Sequence, residues 1–226
     1  MYEFDVKKKW ERLQKRISLF RHIPFVDFVI IAGSMAMETA REESDFDVII
    51  GVRCGHMFTA RFCAVVLFEL FGWRRGKCEQ NEKDKICMSH FVTSARYCLQ
   101  PPYNPYWDVL YLSLVPIWGD IYLIDKFFEA NNTWLSKQRR YGTKEHQRNK
   151  RYVAKSPSIW AKQGEKILST SIGYAIEKGC KRLQMGRIQI CIEEGYKPRI
   201  VVTDDELEFH PDTRRIDEMV NIGKYR

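Results

Sequence analysis

The sequence predicts an α/β fold, and three observations carry that expectation. Val6, Trp10, Leu13, Ile17 and the Leu19-Phe20 pair recur at helical spacing over residues 6–20. Three apolar, β-rich runs at 25–32, 45–52 and 85–92 read as strands. Between the last two lies an apolar stretch, 58–71, long enough for a buried helix and closed by Gly72. Alternating helices and strands of this kind pack as layers around one sheet.

Taken in order, Pro24 ends the first helix and the 25–32 strand runs to Gly33. Ser34 is expected to cap a short helix over 35–40, and Ser44 precedes the 45–52 strand. The 101–108 stretch PPYNPYWD is rich in turn formers and marks the expected boundary between a first unit, 1–100, and a mainly helical second region, 101–226. Helices are expected over 106–115, 121–135 and 158–185, the last opened by Ser156-Pro157. Residues 187–192 fit either helix or strand, 199–203 suggests a short strand, and Asp204-Asp205-Glu206 reads as a helix start.

Composition narrows the function classes. With 226 residues, 45% of them apolar, the chain can bury a real core. Its seven cysteines are odd in number and never spaced Cys-x-x-Cys, which argues against a disulfide framework or a zinc site and for a cytoplasmic protein. The N-terminus is charged and amphipathic rather than signal-like, and no apolar run approaches the roughly 18 residues of a membrane span. The net charge is +8, and residues 137–155 carry eight basic residues against one acid, a local net of +7. That segment suits a polyanion, either nucleic acid or a nucleoside triphosphate, and equally a solvated linker.

The chemistry-bearing stretch is GSMAMETAREESDFDVII, residues 33–50. Residues i and i+2 of a strand share a face, so Asp45 and Asp47 project together while Phe46 and Val48 pack behind them. Two converging carboxylates form a hard-oxygen site suited to Mg²⁺ completed by water and substrate phosphates. Upstream, the Gly33-Ser34 turn lets the backbone come close and offers free N–H groups to phosphate. A phosphate cradle beside metal-binding carboxylates is equipment for phosphoryl or nucleotidyl transfer.

Gly-Ser, ten residues, then Asp-x-Asp at the head of an apolar strand resembles the DNA polymerase β-like nucleotidyltransferase superfamily, in particular its small bacterial members. The stretches DKICMSHFV, LVPIWG and KFFEANNTWL share that likeness. The resemblance implies a mixed sheet flanked by helices, followed by a helical region that shapes an acceptor site. It implies that Gly33, Ser34 and nearby backbone hold a nucleoside triphosphate, and that Asp45 and Asp47 bind two Mg²⁺ ions. The reaction implied is transfer of a nucleoside monophosphate to an acceptor hydroxyl with release of pyrophosphate. Relatives carry a third acid on a neighbouring strand. Residues 85–92 hold none, presenting Cys87, Ser89 and His90 instead, so Asp84 is the nearest candidate, with Glu82 and Glu79 behind it. The acid-free strand and the basic segment together motivate a second reading, a catalytically degenerate module that binds nucleotide or nucleic acid.

Other conspicuous residues have plainer expectations. His90 reads as a core histidine satisfied by hydrogen bonds rather than a general base or metal ligand, and His56 as a helix-start residue rather than a catalyst. Trp107, Trp118, Trp134 and Trp160 read as core anchors, while Tyr141 and Tyr152 could stack on bases.

Overall fold

The computed structural model describes residues 5–76, 82–101, 103–136, 151–193 and 199–210. It opens with α1 (Val6–Ile17), whose N-terminus is capped by the Asp5 carboxylate accepting from the Lys7 and Lys8 amides. A 3₁₀ turn (Ser18–His22) leads to β1 (Val26–Ile31), and one helical turn, α2 (Gly33–Ala36), leads to β2 (Phe46–Val52). Then come α3 (Met57–Leu70), β3 (Ile86–Val92), α4 (Pro105–Ser113), β4 (Val115–Gly119) and α5 (Ile121–Asn131). The chain closes with β5 (Val153–Ala154), α6 (Ile159–Leu168), α7 (Ser171–Glu193), β6 (Arg199–Val202) and β7 (Glu206–His210).

The seven strands among the described residues join one mixed sheet in the order β5-β4-β1-β2-β3-β7-β6. β1 runs antiparallel to both β2 and β4, β2 pairs parallel with β3, and β7 pairs antiparallel with β3. The α/β class expected from the helix–strand alternation is therefore the class observed. Residues beyond 100, expected to be mainly helical, also supply β4, β5, β6 and β7 to the sheet that holds β1 to β3.

Strand alternation sorts the core into two layers. Val29, Ile31, Phe46, Val48 and Ile50 face α1 and α3, while Phe28, Ile30, Ile49 and Val92 face α4 and α5. On the second face Trp107, Leu110, Tyr111, Ile124 and Phe127 fill the space, each nearly or fully buried. α7 packs on α3 and caps it from a distance: the Glu177 carboxylate accepts from the Phe58 and Thr59 amides at 2.8 and 2.7 Å. His56 sits at the N-cap of α3 and stacks on Phe25 with 3.6 Å between ring centroids, as a helix-start residue should.

Several local expectations give way to tertiary context. The 158–185 helix is two helices: Ser158 caps α6 by accepting from the Ala161 amide, and the chain breaks after Leu168 before α7 begins. Residues 187–192 continue α7, and Glu206 opens a strand rather than a helix because β3 offers its unpaired edge to β7. Ser34 lies inside α2, where no side-chain cap forms, and Ala32 takes the N-cap position. Trp107 and Trp118 are core residues, but Trp160 is 77% exposed on α6. Of the basic segment, 137–150, including Tyr141, lies outside the described residues. The described end is used structurally: Tyr152 donates to the Gly119 carbonyl at 2.8 Å and Lys155 pairs with Asp27 at 2.6 Å.

Asp84 does not reach the carboxylates it was expected to join. It sits at φ +62°, a left-handed conformation that Asp tolerates, 5% exposed, with its carboxylate held by Lys9 at 2.9 Å and Arg12 at 2.5 Å. Lys9 is buried too, donating also to the Glu42 and Ser44 carbonyls, and Arg16 donates to the Asp84 carbonyl. Burial pushes the Asp84 carboxyl up, but the Lys9 and Arg12 hydrogen bonds outweigh it and hold the group below its ordinary value. Asp84→Asn keeps the backbone preference yet leaves Lys9 buried without its counter-charge. Urea unfolding should show a loss of about 3 kcal/mol, the scale for breaking one side of a buried pair. A change within about 0.5 kcal/mol, as at an ordinary surface site, would refute this role.

Candidate functional site

The site forms where β1 turns into α2 against the start of β2. Gly33 takes φ +59°, and a Cβ there would stand only 2.0 Å from Asp47 Oδ2. Both the conformation and the close approach require glycine. The Ala32 amide donates to the Asp47 carbonyl at 3.0 Å, so the turn is pressed against the strand that carries the acid. Ser34, half-buried, follows directly.

Asp45 lies one residue before β2 and Asp47 within it, backed by the buried Phe46 and Val48. In the parallel register Asp47 faces Cys87 of β3. Ligating atoms of Asp45, Asp47 and Cys87 all lie within 4.8 Å of one another. Arg75 braces the cluster, donating to Asp45 Oδ2 at 2.7 Å and to Glu82 at 2.6 Å. Burial raises the Asp45 carboxyl, partly countered by Arg75. Asp47 is raised to about 7 by burial and then by the Asp45 charge. Burial likewise pushes the Cys87 thiol far up, so it remains protonated and hydrogen-bonds to the Asp47 carboxylate.

Two carboxylates resisting joint ionisation are what a divalent cation relieves, and their oxygens suit Mg²⁺. The third group is a protonated thiol, soft and ill-suited to Mg²⁺. The donor set therefore fits one magnesium ion completed by water and phosphate better than two. Asp84, committed to Lys9 and Arg12, is not part of this cluster. The sequence placed Cys87 on the strand where relatives carry their third acid, but strand register decided that it faces Asp47. Nothing in the sequence marked Arg75 as a neighbour of the carboxylates, because its position depends on the chain path after α3.

A cleft of about 100 Å³ opens beside the cluster, between the sheet and α4. Gly33, Asp47, Ser89, His90 and Glu208 line its sheet side, and Tyr106, Trp107, Leu110 and Tyr111 line the helix side. Its volume suits a small polar group rather than a whole nucleotide. His90 is buried as expected, but its Nε2 has no hydrogen-bond partner. The plain expectation of a satisfied core histidine fails there.

The raised acids set the pH response of the metal-free protein. A folded pKa of about 7 for Asp47, against an ordinary 3.8, means that the folded state holds this proton more tightly than the unfolded chain. Its contribution is full below the ordinary value and is lost as pH rises through about 7. The stability of metal-free protein against denaturant should therefore fall from about pH 4 to about pH 7, and more steeply than in Asp47→Asn. Parallel profiles for the two proteins would contradict this. Gly33→Ala should cost about 2 kcal/mol in the same assay, from positive-φ strain and displacement of Asp47.

Comparison with known proteins adds little. No protein-family model matches the sequence, and no curated protein matches it. Among solved structures, one described as a toxin–antitoxin with AMP-PNP aligns over 53% of this chain and 80% of its own, at 13% identity and a TM-score of 0.30. A likeness that slight carries no argument about this chain, whose functional reading rests on its own residues.

Proposed function

We propose that this chain is a Mg²⁺-dependent nucleotidyltransferase that moves a nucleoside monophosphate from a nucleoside triphosphate to an acceptor hydroxyl. The observation that carries this reading is the Asp45–Asp47 pair, adjacent and electrostatically strained, with the Cβ-free backbone of Gly33 against it. The Gly33-Ser34…Asp45-x-Asp47 spacing supports it independently.

Asp45 and Asp47 would hold the ion, Arg75 keeping the Asp45 carboxylate in place. Gly33 and Ser34 would receive the triphosphate, the missing Cβ letting the Asp47 carboxylate lie directly against this turn. Bound Mg²⁺ would neutralise charge on the phosphates and stabilise the departing pyrophosphate. The acceptor hydroxyl would enter from the α4 side, where Tyr106 and Trp107 wall the cleft against water.

A second reading has its own observation. Among the described residues no third carboxylate joins Asp45 and Asp47, and Cys87 stands at that place. A site so composed can bind a Mg-nucleotide without turning it over. Calorimetric titration with a non-hydrolysable triphosphate should show Mg²⁺-dependent binding, lost by at least about tenfold in Asp45→Asn/Asp47→Asn. Pyrophosphate release with candidate acceptors then separates transferase from binding module. Binding that survives intact in the double variant would remove both readings.

A further inference from the structure

The sheet carries a second cluster of ligand-type side chains on the same face. β3 holds an extra residue relative to β2: Asp47 pairs with Cys87, yet Ile49 pairs with His90. This irregularity turns both Cys87 and His90 toward the Asp47 face. β7 pairs antiparallel with β3, setting Glu208 opposite His90 and Glu206 opposite Val92, so all three side chains share that face. His90, Glu206 and Glu208 are 5%, 1% and 1% exposed, and their ligating atoms lie within 4.8 Å of one another.

Such a group is costly to bury as it stands. Two carboxylates lie beside one imidazole, and neither His90 Nε2 nor Glu206 Oε2 has a hydrogen-bond partner. His90 Nε2 and Glu206 Oε1 are 3.4 Å apart. That is long for a hydrogen bond. It matches two ligands of one tetrahedral ion, since bonds of about 2.0–2.1 Å at the tetrahedral angle place ligand atoms about 3.3 Å apart.

We propose that His90, Glu206 and Glu208 form a site for a divalent transition metal of the zinc class, separate from the Asp45–Asp47 pair and facing the same cleft. One imidazole nitrogen with two carboxylates favours zinc-like ions over Mg²⁺ and Ca²⁺, which select oxygen-only shells. Three protein ligands leave the fourth position for water or a cleft-bound oxygen, because His90 and Glu208 themselves line that cleft. An ion there would neutralise the buried carboxylates and fasten β7 to β3.

The inference is independent of the nucleotidyltransferase reading, and its test keeps the two apart. The variant Asp45→Asn/Asp47→Asn/Cys87→Ser silences the neighbouring cluster. Metal-free protein of this variant, dialysed against Zn²⁺, should retain one equivalent and melt about 5 °C higher than without it. Adding His90→Gln or Glu206→Gln should weaken zinc binding by at least about tenfold and abolish the thermal shift. A triple variant that takes up no zinc, or one that holds it equally after either further change, overturns the proposal. Anomalous scattering from zinc-soaked wild-type crystals covers the case in which a variant fails to fold. A peak within about 2.2 Å of His90 Nε2 is the expected result. A peak only at Asp45, Asp47 and Cys87, or no peak, overturns it.

Discussion

A buried ammonium ties together the segments from which the candidate site is built. Lys9 Nζ donates to the Glu42 carbonyl, the Ser44 carbonyl and the Asp84 carboxylate, linking α1 to the chain before β2 and the chain before β3. A lone buried cation is very unfavourable; three oxygens, one of them charged, offset that cost. The Ser44 carbonyl also accepts from the Asp84 amide, and the Phe46 amide donates to the Lys85 carbonyl. The parallel start of β2 and β3 is thus fixed one residue before Asp45, and the placing of Cys87 opposite Asp47 follows from it.

The two faces of the sheet have different tasks. The α1 and α3 face is almost wholly apolar, whereas the α4 and α5 face carries Asp47, Cys87, His90, Glu206 and Glu208 along β2, β3 and β7 beside its apolar core. Polar groups at such density inside a protein destabilise it unless something compensates them. Arg75 does so in part for Asp45. Asp47, His90 and Glu206 lack comparable partners, and strain of this kind clusters where proteins bind charged ligands. A cation beside Asp47 and a second beside His90 would each remove a specific electrostatic debt while leaving the cleft between them open.

Asp84 shows how a plausible chemical assignment yields to packing. By sequence it is the acid nearest the third strand, and the family resemblance supplies a reason to want one there. Its side chain instead turns toward α1, where Lys9 and Arg12 hold its carboxylate. The same acid is then structural, and the position beside Asp47 falls to a thiol.

What the sequence alone determined is local. Helical spacing, apolar runs and punctuating Gly and Pro located β1, β2, α3 and β3 within a residue and α1 within three, since each buries a continuous face whose period is written in its own residues. The Gly33-Ser34 turn and the Asp45–Asp47 pair were legible for the same reason: glycine and two like charges on one strand are anomalies within a few positions of one another. Only the tertiary structure decided the rest. β7 is a strand because β3 has a free edge, and Trp160 is exposed because nothing among the described residues covers that side of α6. Cys87, His90, Glu206 and Glu208 meet Asp47 on one face only through parallel register, an extra residue in β3 and an antiparallel return more than a hundred residues later. Such coincidences depend on pairing between distant segments, which no local pattern encodes.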